Sequence, residues 1–153
     1  TPFLLVPEVT NLDETHREPP LLPADPVARA RVRSIALAIA CDIHPIDNLR
    51  VLRYLVHTMG VSEQQKDAWY NYWIDVGLEA LERRLASEPA TGRCCHGDTP
   101  TLADICLVPQ LANARRVNLD LTPYPTLVRI DAHCRSLPAF AAADPARQPD
   151  AEA

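Results

Sequence analysis

Glycine is scarce in this 153-residue chain: there are 4, against 15 prolines and 21 alanines. Tight hairpins need glycine or asparagine-glycine pairs, so a hairpin-rich β architecture is disfavoured, and alanine-rich runs punctuated by proline point to an all-α fold. Lysine is scarcer still, since Lys66 alone accompanies fourteen arginines, and 15 basic against 20 acidic side chains leave a formal charge of -5. A field of that sign repels nucleic acid and anionic lipid, which argues against both as partners. No apolar run approaches the roughly 18 residues that cross a bilayer. Phe3 to Val6 is too short to be the core of a secretory leader. Five cysteines are an odd number with no C-x-x-C spacing. Without a leader or a paired framework they are expected to pack as small apolar groups, in a cytoplasmic setting. The common self-contained catalytic motifs, G-x-S-x-G, the Walker loop, G-x-G-x-x-G and H-E-x-x-H, are absent.

What is there is ordinary for a single globular domain: 47% hydrophobic and 23% charged residues exclude bulk disorder. Six prolines between Pro2 and Pro26 predict an irregular lead-in over residues 1–25. Asp25-Pro26 is a helix entry, with a capping carboxylate and a proline at the first helical position. The run from Ile35 to Cys41 is apolar on nearly every side, which predicts a helix in the middle of a bundle. Pro45 falls inside a helical pattern that otherwise continues to about Thr58 and predicts a kink around Asp42 to His44. Gly60 stops that pattern, and Ser62-Glu-Gln-Gln65 opens the next helix with a capping box.

This helix carries two apolar stripes, Trp69-Trp73-Val76-Ala80 and Ile74-Leu78-Leu81-Leu85, and so is expected to touch neighbours on two sides before it ends near Ser87. A loop over 88–98 precedes a second capping box, Thr101 to Asp104, which launches a helix to about Val117 despite Pro109. A shorter helix follows over Pro125 to Leu137, and a last turn lies around Pro138 to Ala143. The expected division is a lead-in over 1–25, a helical domain over 26–144 and a frayed tail over 145–153.

Several polar groups are candidates for function. His44 and Asn48 are four apart, on one helix face if the kink leaves that turn intact, with Arg50 and Arg53 just beyond. The simpler alternative is a histidine satisfied beside a kink, with solvated arginines. Arg115-Arg116 complements a helix C-terminus, yet arginine also offers a fixed fork to a carboxylate. Cys94-Cys95-His96 beside Asp98 lacks metal-ligand spacing, and no metal site is expected.

The segments Ile43-His-Pro-Ile-Asp-Asn-Leu-Arg50, Gly97-Asp-Thr-Pro-Thr-Leu-Ala-Asp104, Ala112-Asn-Ala-Arg-Arg116, Asp120-Leu-Thr-Pro-Tyr-Pro125 and Arg147-Gln-Pro-Asp150 resemble the helical half of zeta-class glutathione transferases, the family of maleylacetoacetate and maleylpyruvate isomerases. The resemblance runs over about residues 12 to 150, with 12–25 similar to the family's interdomain linker. It implies a glutathione transferase C-terminal-like bundle of about five or six helices that normally follows a thioredoxin-like domain, the whole forming a homodimer. It also implies glutathione as cofactor, a small dicarboxylate as substrate, and cis–trans isomerisation of a maleyl to a fumaryl group.

Carried over residue by residue, the resemblance makes His44 and Asn48 glutathione contacts and Arg116 the reader of a substrate carboxylate, with Arg50 and then Arg115 behind it. Thr101 and Asp104 are its structural capping box. The family's thiol-activating Ser-Ser-Cys segment lies in the thioredoxin-like half, which is expected to be missing from this chain. Leu4-Leu5 stands where a glutamine or glutamate followed by serine is expected, and Pro7 is expected to interrupt the helix there. On this reading the chain alone binds glutathione poorly and isomerises little. A helical dimerisation or scaffold module derived from the family is the alternative.

Overall fold

A computed structural model describes residues 5–16 and 18–149, so the expectations that rest on residues 1–4 lie outside the described residues. The first element corrects the expected irregular lead-in. Leu5–Thr15 is a helix, α1, and Pro7 does not interrupt it. The stretch after α1 is irregular but tied down: Asp13 Oδ1 accepts from the Leu21 N–H at 2.5 Å, and Leu21 O accepts from the Leu102 N–H at 3.0 Å.

Asp25 caps α2 (Pro26–Leu37), accepting from the Ala28 N–H at 2.7 Å with Pro26 at the helix start. The same rod continues as a π turn, Ala38–Ile43, into the short α3, His44–Ile46. α4 (Leu49–His57) ends before Gly60, whose φ of 70° reverses the chain. α5 (Glu63–Ser87) is the longest helix, started by the Ser62–Gln65 capping box. The loop over 88–98 folds on itself through a parallel bridge between Thr91 and Gly97.

α6 (Leu102–Arg116) begins where Asp104 Oδ2 accepts from both the N–H and the hydroxyl of Thr101, each at 2.8 Å. α7 (Pro125–Ser136) is capped from a distance, because Glu82 of α5 accepts from the N–H groups of Thr126 and Leu127, both at 3.0 Å. α8 (Pro138–Ala142) leads to a 3₁₀ turn, Pro145–Arg147. There the Gln148 side chain donates to Ala142 O at 2.9 Å and to Asp144 O at 3.0 Å, so this part of the expected frayed tail is hydrogen-bonded in place. Among the described residues there is no strand beyond the isolated bridge, in agreement with the all-α expectation.

The centre of the bundle is α6 rather than α2. Leu102, Ala103, Cys106, Leu107, Leu111 and Ala114 are all buried, and α6 packs on both α2 and α7. α2 and the π turn after it bury Val32, Ile35, Ala36 and Ile39 on one face and leave Leu37 in solvent. Of the two α5 stripes, Ile74, Leu78, Leu81 and Leu85 enter the core. Trp69 and Trp73 are half-buried, and Val76 and Ala80 are exposed.

Candidate functional site

Pro45 shapes the first part of the site. It has no N–H for the carbonyl one turn back, and the helix relieves the mismatch by widening: the His44 N–H bonds to Ile39 O, five residues earlier. The kink predicted at Asp42 to His44 is this π turn. The helix does not then continue to Thr58, as the pattern suggested, because it breaks at Asp47-Asn48. Asn48 is extended, with φ -63° and ψ 143°, and caps α4 by accepting from the Arg50 N–H at 3.1 Å. His44 and Asn48 therefore do not share a helix face; they flank a break.

That arrangement frees donors. The cap uses the Asn48 side-chain oxygen, and its NH₂ makes no hydrogen bond among the described residues; the half-buried His44 ring likewise makes none. Arg50 is exposed in the first turn of α4. Between the two lies Asp47, buried, with both carboxylate oxygens lacking a partner among the described residues. Burial pushes its pKa up to about 7.

Two features of α5 hold this segment. The Trp69 indole N–H donates to Ile46 O at 3.3 Å. Two turns further on, Gly77 leaves the space that Ile43 fills, since a Cβ there would sit 2.4 Å from Ile43 Cγ1. The residue after Trp69 reaches the other part of the site: the buried Tyr70 hydroxyl accepts from Arg116 Nη2 at 3.4 Å. One turn of α5 thus anchors both the His44–Asn48 segment and the arginine at the end of α6.

The paired arginines diverge. Arg115 turns to α7 and ion-pairs with the buried Asp131 at 2.6 Å, while its Nη1 has no partner among the described residues. Arg116 is exposed, with no carboxylate among the described residues within ion-pair range. Sequence reasoning missed Trp69, Tyr70, Gly77 and Asp47. An isolated glycine within a helical pattern is a signal of close approach, and Gly77 carried it.

The cysteines make a different cluster. Cys94, Asp104 and Cys134 place their side-chain ligand atoms within 4.8 Å of one another, all buried. The Asp104 oxygens are occupied by Thr101 and by the Cys95 N–H at 2.8 Å. Burial, and then the Asp104 charge, raise the Cys94 thiol to about 11 and move Cys95 and Cys134 in the same direction, so these groups stay protonated thiols near neutrality. His96 is not part of the cluster, because its Nδ1 meets Arg31 Nη1 at 3.2 Å.

Comparison with known proteins identifies the architecture. Residues 74–143 match the family model of the glutathione S-transferase C-terminal domain. A maleylpyruvate isomerase from Ralstonia sp is 52% identical over 139 residues, which are 91% of this chain and 66% of that protein. The holo structure of a maleylpyruvate isomerase described as a bacterial zeta-class glutathione transferase superposes with a TM-score of 0.91 at 50% identity, over 94% of this chain and 68% of that one. This chain belongs to the zeta-class glutathione transferase family. It spans about two thirds of the length of the Ralstonia relative. A further likeness is a maleylacetoacetate isomerase from Anaeromyxobacter dehalogenans, solved with dicarboxyethyl glutathione and citrate bound in its active site. That structure has a TM-score of 0.90 at 47% identity, covering 96% of this chain and 64% of that chain.

Proposed function

We propose that this chain is the substrate-binding helical half of a glutathione-dependent isomerase that converts a maleyl dicarboxylate, maleylpyruvate or maleylacetoacetate, to its fumaryl isomer. The observation that carries the reading is the exposed Arg116 fork, without a carboxylate partner among the described residues, fixed to the same turn of α5 as the His44–Asn48 break. The relatives named above support it.

The residues present fit glutathione. It is a peptide rich in carbonyl and carboxylate acceptors, and the Asn48 NH₂ and the His44 ring are side-chain groups with no partner among the described residues. When bound, glutathione supplies a sulfur nucleophile that adds to the maleyl double bond and leaves again after rotation. Asn48 and His44 orient it by hydrogen bonds. Arg116 receives a substrate carboxylate, each charge-assisted bond contributing ~1.5–3 kcal/mol where water is excluded, and Arg50 is a second cation on the α4 side.

The reading includes a thioredoxin-like lobe, joined through residues 12–25, that lowers the pKa of the glutathione thiol. The helical half alone gives little rate. A homodimer in the cytoplasm completes the reading; among the described residues, no helix is long and apolar enough to cross a membrane.

The test follows loss of the cis-enol absorbance of maleylpyruvate in protein carrying both halves, with and without glutathione. A glutathione-dependent rate is expected. Arg116→Ala is expected to raise KM for the dicarboxylate at least about tenfold while KM for glutathione stays put. A rate no higher than that of glutathione in buffer overturns the reading in favour of a non-enzymatic helical scaffold.

A further inference from the structure

Cations on this molecule are mostly cancelled or tied to the backbone. Arg31 and Arg84 pair with Glu88, Arg93 with Asp98, Arg115 with Asp131 and Arg135 with Asp144. Arg116 is held differently: Nη2 donates to the Tyr70 hydroxyl at 3.4 Å, and no carboxylate among the described residues comes within ion-pair range. The chemical difference matters. A carboxylate would fix the guanidinium and also remove its attraction for an anion, whereas a phenol accepts one N–H and leaves the charge and four of the five donors in place.

The phenol is itself well fixed. Tyr70 is 6% exposed, lies in the core cluster of α5 with Ile74 one turn on, and follows Trp69, which donates to Ile46 O. Arginine at a helix end has many rotamers, and each one that must be frozen on binding an anion weakens that binding. A hydrogen bond to a buried, immobile acceptor freezes part of that freedom in advance.

We infer that Tyr70 is a positioning residue for the dicarboxylate substrate, holding the Arg116 fork against α5 without neutralising it. The inference rests on the proposed function and deepens it by adding a residue that acts through Arg116 rather than on the substrate itself. Tyr70→Phe removes only the hydroxyl and keeps the buried ring, so the bundle is left intact.

The experiment measures maleate binding by titration calorimetry in protein carrying both halves, together with KM for maleylpyruvate and for glutathione. Tyr70→Phe is expected to weaken maleate binding about tenfold, and to raise KM for the dicarboxylate in parallel, with KM for glutathione and the melting temperature unchanged. Arg116→Ala is expected to weaken binding further. In the Arg116→Ala background Tyr70→Phe should then have no added effect, which is the signature of acting through the guanidinium.

Maleate binding that ignores Tyr70→Phe, or an effect that persists when Arg116 is gone, overturns the inference and leaves the isomerase reading untouched. Maleate binding that shows the expected pattern in a protein with no glutathione-dependent rate upholds the Tyr70 role and overturns the isomerase reading instead. Wild-type protein that binds no maleate overturns the Tyr70 inference, and the glutathione-dependent rate then decides the isomerase reading by itself.

Discussion

At Asp47 both carboxylate oxygens lie away from water and from any donor among the described residues, and burial raises the pKa to about 7 from an ordinary 3.8. The native state therefore holds this proton more tightly than the unfolded chain. Stability from Asp47 is complete below pH 3.8, declines as pH rises from there toward 7, and levels off once the native group has ionised as well. The span corresponds to on the order of 4 kcal/mol at most. Denaturant unfolding across pH 4 to 8 is expected to show this decline in the wild type and its loss in Asp47→Asn. Parallel curves for the two proteins would refute the assignment. Nothing in the sequence singles out Asp47, because its burial comes from the break after α3 and the packing of α5, not from its neighbours in the chain. Arg115 and Arg116 teach the same point. They are adjacent and chemically identical in sequence, and only the partners brought by other helices, Asp131 and Tyr70, separate an ion-paired arginine from an uncancelled cation. Asp104, by contrast, was legible, since a capping box needs only residues three apart.

At the scale of elements, the decisive piece is the π turn and the break that follows it. Proline inside a helical pattern announces a distortion, and Pro45 did so. The pattern did not specify that the helix would widen over Ala38–Ile43 and then restart at Asn48, because both depend on what α5 offers as a surface. α5 offers a glycine. A Cβ on Gly77 would meet Ile43 Cγ1 at 2.4 Å and Cδ1 at 2.5 Å, too close for either to remain. Gly77→Ala is expected to destabilise the protein by about 1 kcal/mol through overpacking, because the end of the Ile43 side chain must move. Ile43→Ala should be costly alone, yet the double variant should lose less than the two singles summed, since each change makes room for the other. Strict additivity in thermal unfolding would show that the two do not meet. α1 was misread for a related reason. A proline count suggests irregular chain, yet Leu5–Thr15 is helical with Pro7 inside it.

For the whole molecule, the order of layers was less visible than the list of helices. Every apolar stripe in the sequence is a candidate for the centre, and α2 has the most continuous one. Yet α6 takes that place because it alone packs closely on both α2 and α7. The stripe that α6 does not cover is the informative remainder. On α5, Tyr72 and Val76 lie one turn apart and are 59% and 40% exposed, while Tyr54 and Met59 on the α4 side are 57% and 62% exposed. Trp69 and Trp73 stand half-buried beside them, packed edge to face at 5.7 Å. Large apolar side chains left in water on α4, the turn after it and α5 are a surface that gains by being covered. A net charge of -5 opposes association only weakly at ordinary ionic strength, where the field decays within about 8–10 Å. The molecule is therefore expected to self-associate in sedimentation at micromolar concentration, more strongly as salt is raised, because salt screens the repulsion and leaves the apolar term. A Tyr72→Glu, Val76→Glu variant should be monomeric under the same conditions with its far-ultraviolet circular dichroism unchanged, since both side chains already point to solvent. A wild-type protein that stays monomeric at high concentration and high salt would mean that this stripe is simply solvated.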